Sequence, residues 1–331
     1  MHNAFRPAWW LNGPHLQTIY PALLRRTAPP AAIRRERLET PDGDFLDIDW
    51  CEDETKPLVI LLHGLAGSSR SGYIAGLQHS LPSQGFASVA LNFRGCSGEM
   101  NRLARCYHSG ETEDIGFLHR ELRRRFPRRP LAAIGFSLGG NVLLKWLGEQ
   151  GTDADLFAAA AVSVPLVLSE CADKLDRGFS RIYRDYLLRE LKQYMQIKQR
   201  HLLAIGRDDQ AERIRQLGDL RPIRSFWQYD DRVVARLHGF ADAADYYRRS
   251  SSRQFLPLIR VPTLLLQAKD DPFMTERVLP SPAELSAAVH LEISNGGGHV
   301  GFVGGSGFRS SYWVEERVGK FLQNIPPGFN I

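Results

Sequence analysis

AIGFSLGGN, residues 133–141, runs from small apolar residues into a single serine, Ser137, flanked two positions away by Gly135 and Gly139. An apolar run of this kind is what a strand buried on both faces of a parallel sheet looks like, and LGGNVLLKWLGEQ (138–150) reads as the helix that follows it. Strand, Gly-x-Ser-x-Gly, helix is a nucleophile elbow. The serine takes a strained turn, and the glycines leave room for neighbouring backbone to come close. The turn lifts the hydroxyl above the sheet at a helix start, where backbone N–H groups can receive a developing negative charge.

Outward from this unit the pattern repeats. PLVILLHG (57–64), FASVALNF (86–93), LAAIGF (131–136), LFAAAAVSV (156–164), VPTLLLQA (261–268) and AVHLEIS (288–294) read as strands. FLDIDW (45–50) has period two and reads as a strand half exposed to water. Helices are predicted near 72–83 and 111–126, and a final helix closes the chain. Repeated βαβ units predict an α/β fold with a mostly parallel, doubly wound sheet flanked by helices, to which these seven strands belong. The interval from about Pro165 to Pro257 breaks the rhythm. It is rich in charges and aromatics at helical spacing, as in FSRIYRDYLLRELKQYMQIKQRHLL (179–203), and reads as a helical cap, 165–257, inserted in one domain, 1–331.

Composition fits a globular protein with ample core: 331 residues, 43% hydrophobic, 24% charged, net charge +5. The run HRELRRRFPRRP (119–130) is expected to be a solvated helix face rather than a nucleic-acid or lipid patch. Cys51, Cys96, Cys106 and Cys171 lack CxxC spacing and are expected as free thiols in the cytoplasm. No metal-ligand spacing and no cofactor motif occurs. The N-terminal segment shows neither a signal peptide nor a membrane span; Trp9, Trp10, Leu11, Ile19, Tyr20 and Leu23 are expected to pack on the domain rather than rest on a bilayer.

A serine hydroxyl needs a base, and the base an acid to orient it. His299, in the glycine-rich NGGGHVGF (295–302) after the last strand, is the best of ten histidines. His63 in LLHGLAG (61–67) also ends a strand but suits a turn-shaping role. In LLLQAKDDPF (264–273), Asp270 comes first off the strand and is the expected acid; Asp271, ahead of Pro272, is the alternative, expected to cap the turn.

LLHGLAGSS, NFRGCSGEMNR, YHSGET, GFSLGGN, AKDDPF, GGGHVGF and the leading HLQT together resemble the YheT-like branch of the α/β-hydrolase superfamily, also called AB hydrolase family 4, from about His15 to the last helix. The resemblance implies an α/β-hydrolase fold with a mostly parallel eight-stranded sheet, a charge relay of Ser137, Asp270 and His299, an oxyanion hole from the Leu65 and Leu138 N–H groups, and hydrolysis of small-molecule carboxylic esters, lipid-like ones included. A thioesterase or amidase with the same triad, and a non-catalytic binding protein on this scaffold, are the alternatives. Arg94, Cys96 and His108, in two of these stretches, are candidates for lining the pocket; the competing expectation is that they belong to a rigid loop bracing the site.

Overall fold

The computed structural model describes residues 5–25, 33–305 and 309–326. Helix α1 (Pro14–Leu24) precedes a sheet of eight strands: β1 (Ile33–Glu39), β2 (Phe45–Cys51), β3 (Leu58–Leu62), β4 (Ala87–Asn92), β5 (Leu131–Phe136), β6 (Ala158–Val162), β7 (Thr263–Ala268) and β8 (Val289–Ser294). Their spatial order is β1-β2-β4-β3-β5-β6-β7-β8. From β4 to β8 every neighbouring pair is parallel; β2 is antiparallel to both β1 and β4. Helices α2 (Gly72–Ser80), α3 (Glu113–Arg125) and α4 (Leu138–Gln150) connect the first strands.

The continuous apolar runs are explained by two core layers. In β3, Leu58, Ile60 and Leu62 pack with Ile115 and Leu118 of α3 and Val142 and Leu143 of α4, while Val59 and Leu61 pack on the opposite face with Ile74 and Leu77 of α2. Alternate side chains of a strand face opposite ways, so a strand covered on both faces must be apolar throughout. Between β6 and β7 lie α5 (Leu168–Leu175), α6 (Ser180–Ala204), α7 (Asp208–Arg215), the short α8 (Phe226–Tyr229), a π-helical turn at Asp230–Ala235, α9 (Arg236–His238) and α10 (Ala243–Ser250). They enclose a core of their own, with Leu188, Leu191, Met195, Leu202 and Tyr246 in it. After β8 a ribbon of β9 (Val303–Gly304) and β10 (Ser311–Tyr312) leads into α11 (Trp313–Gln323), which packs beside α2 on the second face.

Two features depart from expectation. Strand β2 is not half exposed: Asp47 and Asp49, its polar positions, are buried. Strand β1, IRRERLE, was not expected at all, because its charges carry no apolar alternation. One fact explains both. In the antiparallel register Arg35 lies opposite Asp49 and Arg37 opposite Asp47. Each arginine grips its aspartate with two nitrogens at 2.7 to 2.9 Å. Cross-strand ion pairs therefore replace apolar contact at this edge of the sheet.

The N-terminal segment packs only in part. Leu11 is buried against Ala8 and Val303, and the Trp10 ring meets Tyr20 edge-on at 5.0 Å. Trp9 and Leu23, expected to pack as well, are 70% and 74% exposed. The arginine run is likewise only partly a solvated face. Arg124 is exposed, but Arg125 reaches Glu36 and Glu121, and Arg129 donates to the Lys56 and Asp53 carbonyls.

Candidate active site

Ser137 joins β5 to α4 with φ of 50°, a left-handed backbone that a serine adopts only when its surroundings impose it. The flanking glycines are sterically required. A Cβ on Gly135 would run into the Gly139 carbonyl, and one on Gly139 into the backbone carbonyls of Leu62 and His63. The Ser137 N–H donates to the Val162 carbonyl at 2.9 Å, and the Asn141 side chain ties the new helix to the Ser109 and Ser250 carbonyls.

The loop after β8 brings His299 to this serine. His299 Nε2 lies 2.9 Å from Ser137 Oγ, and its Nδ1 lies 2.8 Å from Asp271 Oδ2. A carboxylate only accepts, so Nδ1 carries the proton and Nε2 keeps its lone pair for the serine hydroxyl. The ring is stacked on Phe273 with centroids 4.0 Å apart.

The acid thus differs from the expected Asp270. Asp271 is buried, and its two oxygens divide the work: Oδ1 accepts from the Phe273 N–H at 2.8 Å, capping the turn, while Oδ2 faces the imidazole. The turn-capping task assigned to Asp271 in the sequence is real, yet it uses one oxygen and leaves the other free. Asp270 points the opposite way and accepts the Gly298 N–H at 2.9 Å, so it holds the loop carrying His299. Burial, with the neighbouring Asp271 charge adding to it, pushes the Asp270 carboxyl above its usual range.

Leu65 directly follows the His63-Gly64 turn, and Leu138 directly follows the serine. Among the described residues neither backbone N–H has an acceptor. His63 shapes that turn. It is fully buried, its Nδ1 donates to the Gly64 carbonyl at 2.8 Å, and its Nε2 accepts the Phe93 N–H at 3.1 Å. Burial pushes it down to about 4, which keeps it neutral.

Of the three pocket candidates, His108 lines a cavity. Arg94 is buried in an ion-pair hub, donating to Asp42, Asp44 and Asp114 at 2.7 to 3.2 Å. Cys96 packs against the core, and burial pushes its thiol up to about 12. Lys198 of α6 completes the brace, donating to the Asn101 side chain and to the Leu103 and Arg105 carbonyls. NFRGCSGEMNR is therefore a rigid loop, the competing expectation. His108 lies between two cavities. One, of about 60 Å³, is lined by Leu65, Leu138 and residues of the helical interval; the other, of about 890 Å³, is polar and contains none of Ser137, Asp271 or His299.

Two contributors had no assigned role in the sequence. The Thr18 hydroxyl accepts the His299 N–H at 2.9 Å and donates to the Pro14 carbonyl. Gln17 bonds Val303 through both of its amide atoms. HLQT is thus the clamp that fixes the histidine loop from the far end of the chain; its presence among the family-like motifs was the available signal. Among the described residues no group of three His, Cys, Asp or Glu side chains could hold a metal ion, and no helix is long and apolar enough to cross a membrane.

A family profile described as alpha/beta hydrolase fold matches residues 57–306. The Escherichia coli (strain K12) protein named "Putative esterase YheT" is 43% identical over 96% of this chain and 92% of its own length. Mouse Phospholipase ABHD3 is 30% identical over 89% of this chain and 72% of its own. The Saccharomyces cerevisiae Monoacylglycerol lipase is 31% identical over 88% and 63%. Among solved structures, the Pyrococcus furiosus esterase Pf2001 superposes with a TM-score of 0.57, covering 89% of this chain and 91% of that one at 17% identity, which speaks for the fold alone. On the profile match and the extent of identity, this chain belongs to the α/β-hydrolase family, in its YheT-like branch.

Proposed function

We propose that the protein is a serine esterase whose nucleophile is Ser137, whose base is His299 and whose orienting acid is Asp271. The observation that carries this reading is the unbroken chain of hydrogen bonds from Asp271 through His299 to Ser137, at 2.8 and 2.9 Å, beside two N–H groups without acceptors among the described residues. As Ser137 Oγ attacks an ester carbonyl, its proton passes to His299 Nε2, and Asp271 stabilises the imidazolium. The carbonyl oxygen gains charge facing the Leu65 and Leu138 N–H groups. Collapse expels the alcohol, which takes the proton from His299. A water then gives its proton to His299, attacks the acyl-enzyme, and the free acid leaves with Ser137 restored.

The helices between β6 and β7 act in this reading as a cap, because seven of their residues share the small cavity with Leu65 and Leu138. Carboxylic esters are the substrate class; relatives named esterase, phospholipase and monoacylglycerol lipase support it, and lipid esters fall within it. Four free thiols favour a reducing compartment, the cytoplasm. A fluorophosphonate probe tests the reading. It should label the purified protein at Ser137 and block hydrolysis of p-nitrophenyl esters; an unlabelled Ser137 in a folded protein would overturn it.

A further inference from the structure

The 60 Å³ cavity meets the site at Leu65 and Leu138, the two proposed oxyanion donors. None of the residues on the leaving-group side of His299, neither His299 itself nor Phe273, lines it. The alcohol departs toward His299, so the cavity receives the acyl chain; this rests on the serine esterase reading. Its size sets a limit. At roughly 10–15 Å³ for each water-sized group, it holds about four to six groups of that size.

Most of the wall is apolar or aromatic, from Leu191, Phe226, Val234 and the tyrosines. Three polar atoms on it have no partner among the described residues. Asp230 spends Oδ2 on the Tyr247 hydroxyl at 2.6 Å and leaves Oδ1 unpaired. The Tyr229 hydroxyl makes no hydrogen bond. His108 accepts the Gly110 N–H on Nδ1 at 3.1 Å, which puts its proton on Nε2, and that N–H is unpaired. All three side chains are more than nine-tenths buried. None of the three atoms is sealed inside the core, so a group in the cavity can reach and pair with them. Tyr247 is itself packed in the helical interval, so Asp230 is held in place rather than swinging free.

We propose that this cavity selects a short acyl group of about four carbons that carries a hydroxyl, bound between Asp230, Tyr229 and His108. A hydroxyl fits the set in either protonation state of Asp230: it donates to Oδ1 of the carboxylate or accepts from the protonated carboxyl, and its oxygen accepts from Tyr229 or His108. A keto oxygen can only accept, so it leaves the ionised form of Asp230 without a donor, and an ammonium has no lone pair for the two donors. The same burial that pushes the Asp230 carboxyl up to about 7 penalises a second charge, so a carboxylate-bearing chain is a poor occupant. A plain alkyl chain would leave all three groups unpaired, and sites built to bond a hydroxyl discriminate strongly against its absence.

The test compares kcat/KM for ethyl 3-hydroxybutyrate, ethyl butyrate, ethyl 4-aminobutyrate and ethyl decanoate, followed by acid release in a pH-stat. The hydroxy ester should exceed butyrate by about tenfold or more, and decanoate should be the poorest. Asp230→Leu and Tyr229→Phe, each checked for an intact cooperative melting transition, should collapse the hydroxybutyrate-to-butyrate ratio toward one. A wild-type ratio near one, a preference for the amino or long-chain ester, or a high ratio untouched by both variants would overturn the proposal. So would labelling of Ser137 by the fluorophosphonate probe without hydrolysis of either four-carbon ester. If Ser137 takes no label, it is the esterase reading itself that falls.

Discussion

His63 and His299 both follow strands of one sheet, after β3 and after β8, and each has a glycine beside it, Gly64 and Gly298. Their surroundings differ in how much hydrogen-bonding capacity is left over. At His63 both ring nitrogens are used within the chain, and next door Arg94 is surrounded by Asp42, Asp44 and Asp114. At His299 one nitrogen faces a carboxylate and the other a serine hydroxyl that a substrate can displace. The proposed reactivity falls where the sheet edge leaves one bond to be made; the same residue types with every bond made become a brace.

The sharpest break of this comparison comes at the reactive side. Ser137→Ala and His299→Ala should each lower kcat by roughly 10⁶, and the double variant should be little worse than either, since the two act in one step. Multiplicative losses in ester hydrolysis assays would mean that they do not work together.

The two aspartates come next. Asp271→Asn should keep the fold and lower kcat by roughly 10⁴, because an amide favours the wrong imidazole tautomer and cannot support the imidazolium. Asp270→Asn, beside it, can still accept the Gly298 N–H and should cost far less. The opposite ranking of the two kcat values would return the acid to Asp270.

Much of this was legible in the residues, and the failures share a cause. The buried strands and the elbow announce themselves because apolar runs and Gly-x-Ser-x-Gly have few structural solutions. Strand β1 was invisible because what makes it a strand, Arg35 and Arg37 facing Asp49 and Asp47, is a pairing between segments and not a pattern within one. The choice between Asp270 and Asp271 failed for a different reason. Capping a turn and holding a histidine looked like competing tasks, but a carboxylate has two oxygens, and Asp271 uses one for each. Arg94 misled by its setting in a family-like motif: being prominent in sequence did not distinguish a brace from a pocket wall.

On the brace side, Arg94→Met should destabilise the protein by about 3–5 kcal/mol, because Asp44 and Asp114 would stay buried without their counter-charge. Urea unfolding at pH 7 measures it. Activity per folded molecule should fall far less than for Asp271→Asn; a variant that folds normally and loses kcat instead would give the loop a direct part in the chemistry.

The smallest effect concerns protons. Burial holds His63, His108 and His238 well below the ordinary histidine value, at about 4, about 3 and about 2. A histidine depressed in the folded state binds its proton first in the unfolded chain, so its contribution is fully present above about pH 6.5 and is lost as pH falls toward the folded value. For His63 the window runs from about 6.5 down to about 4, and the loss by pH 5 is about 2 kcal/mol. His63→Gln retains an amide that can donate to the Gly64 carbonyl and an oxygen that can accept the Phe93 N–H, but cannot take up the proton. The fall in unfolding free energy between pH 7 and pH 5 should therefore be about 2 kcal/mol shallower in the variant than in the parent. Should His63→Gln not fold, His108→Phe carries the same expectation through its own depressed value. An unchanged slope would mean that these histidines already take up protons in the folded protein, and then the sealed half of the sheet edge would be as open to solvent exchange as the half that holds Ser137.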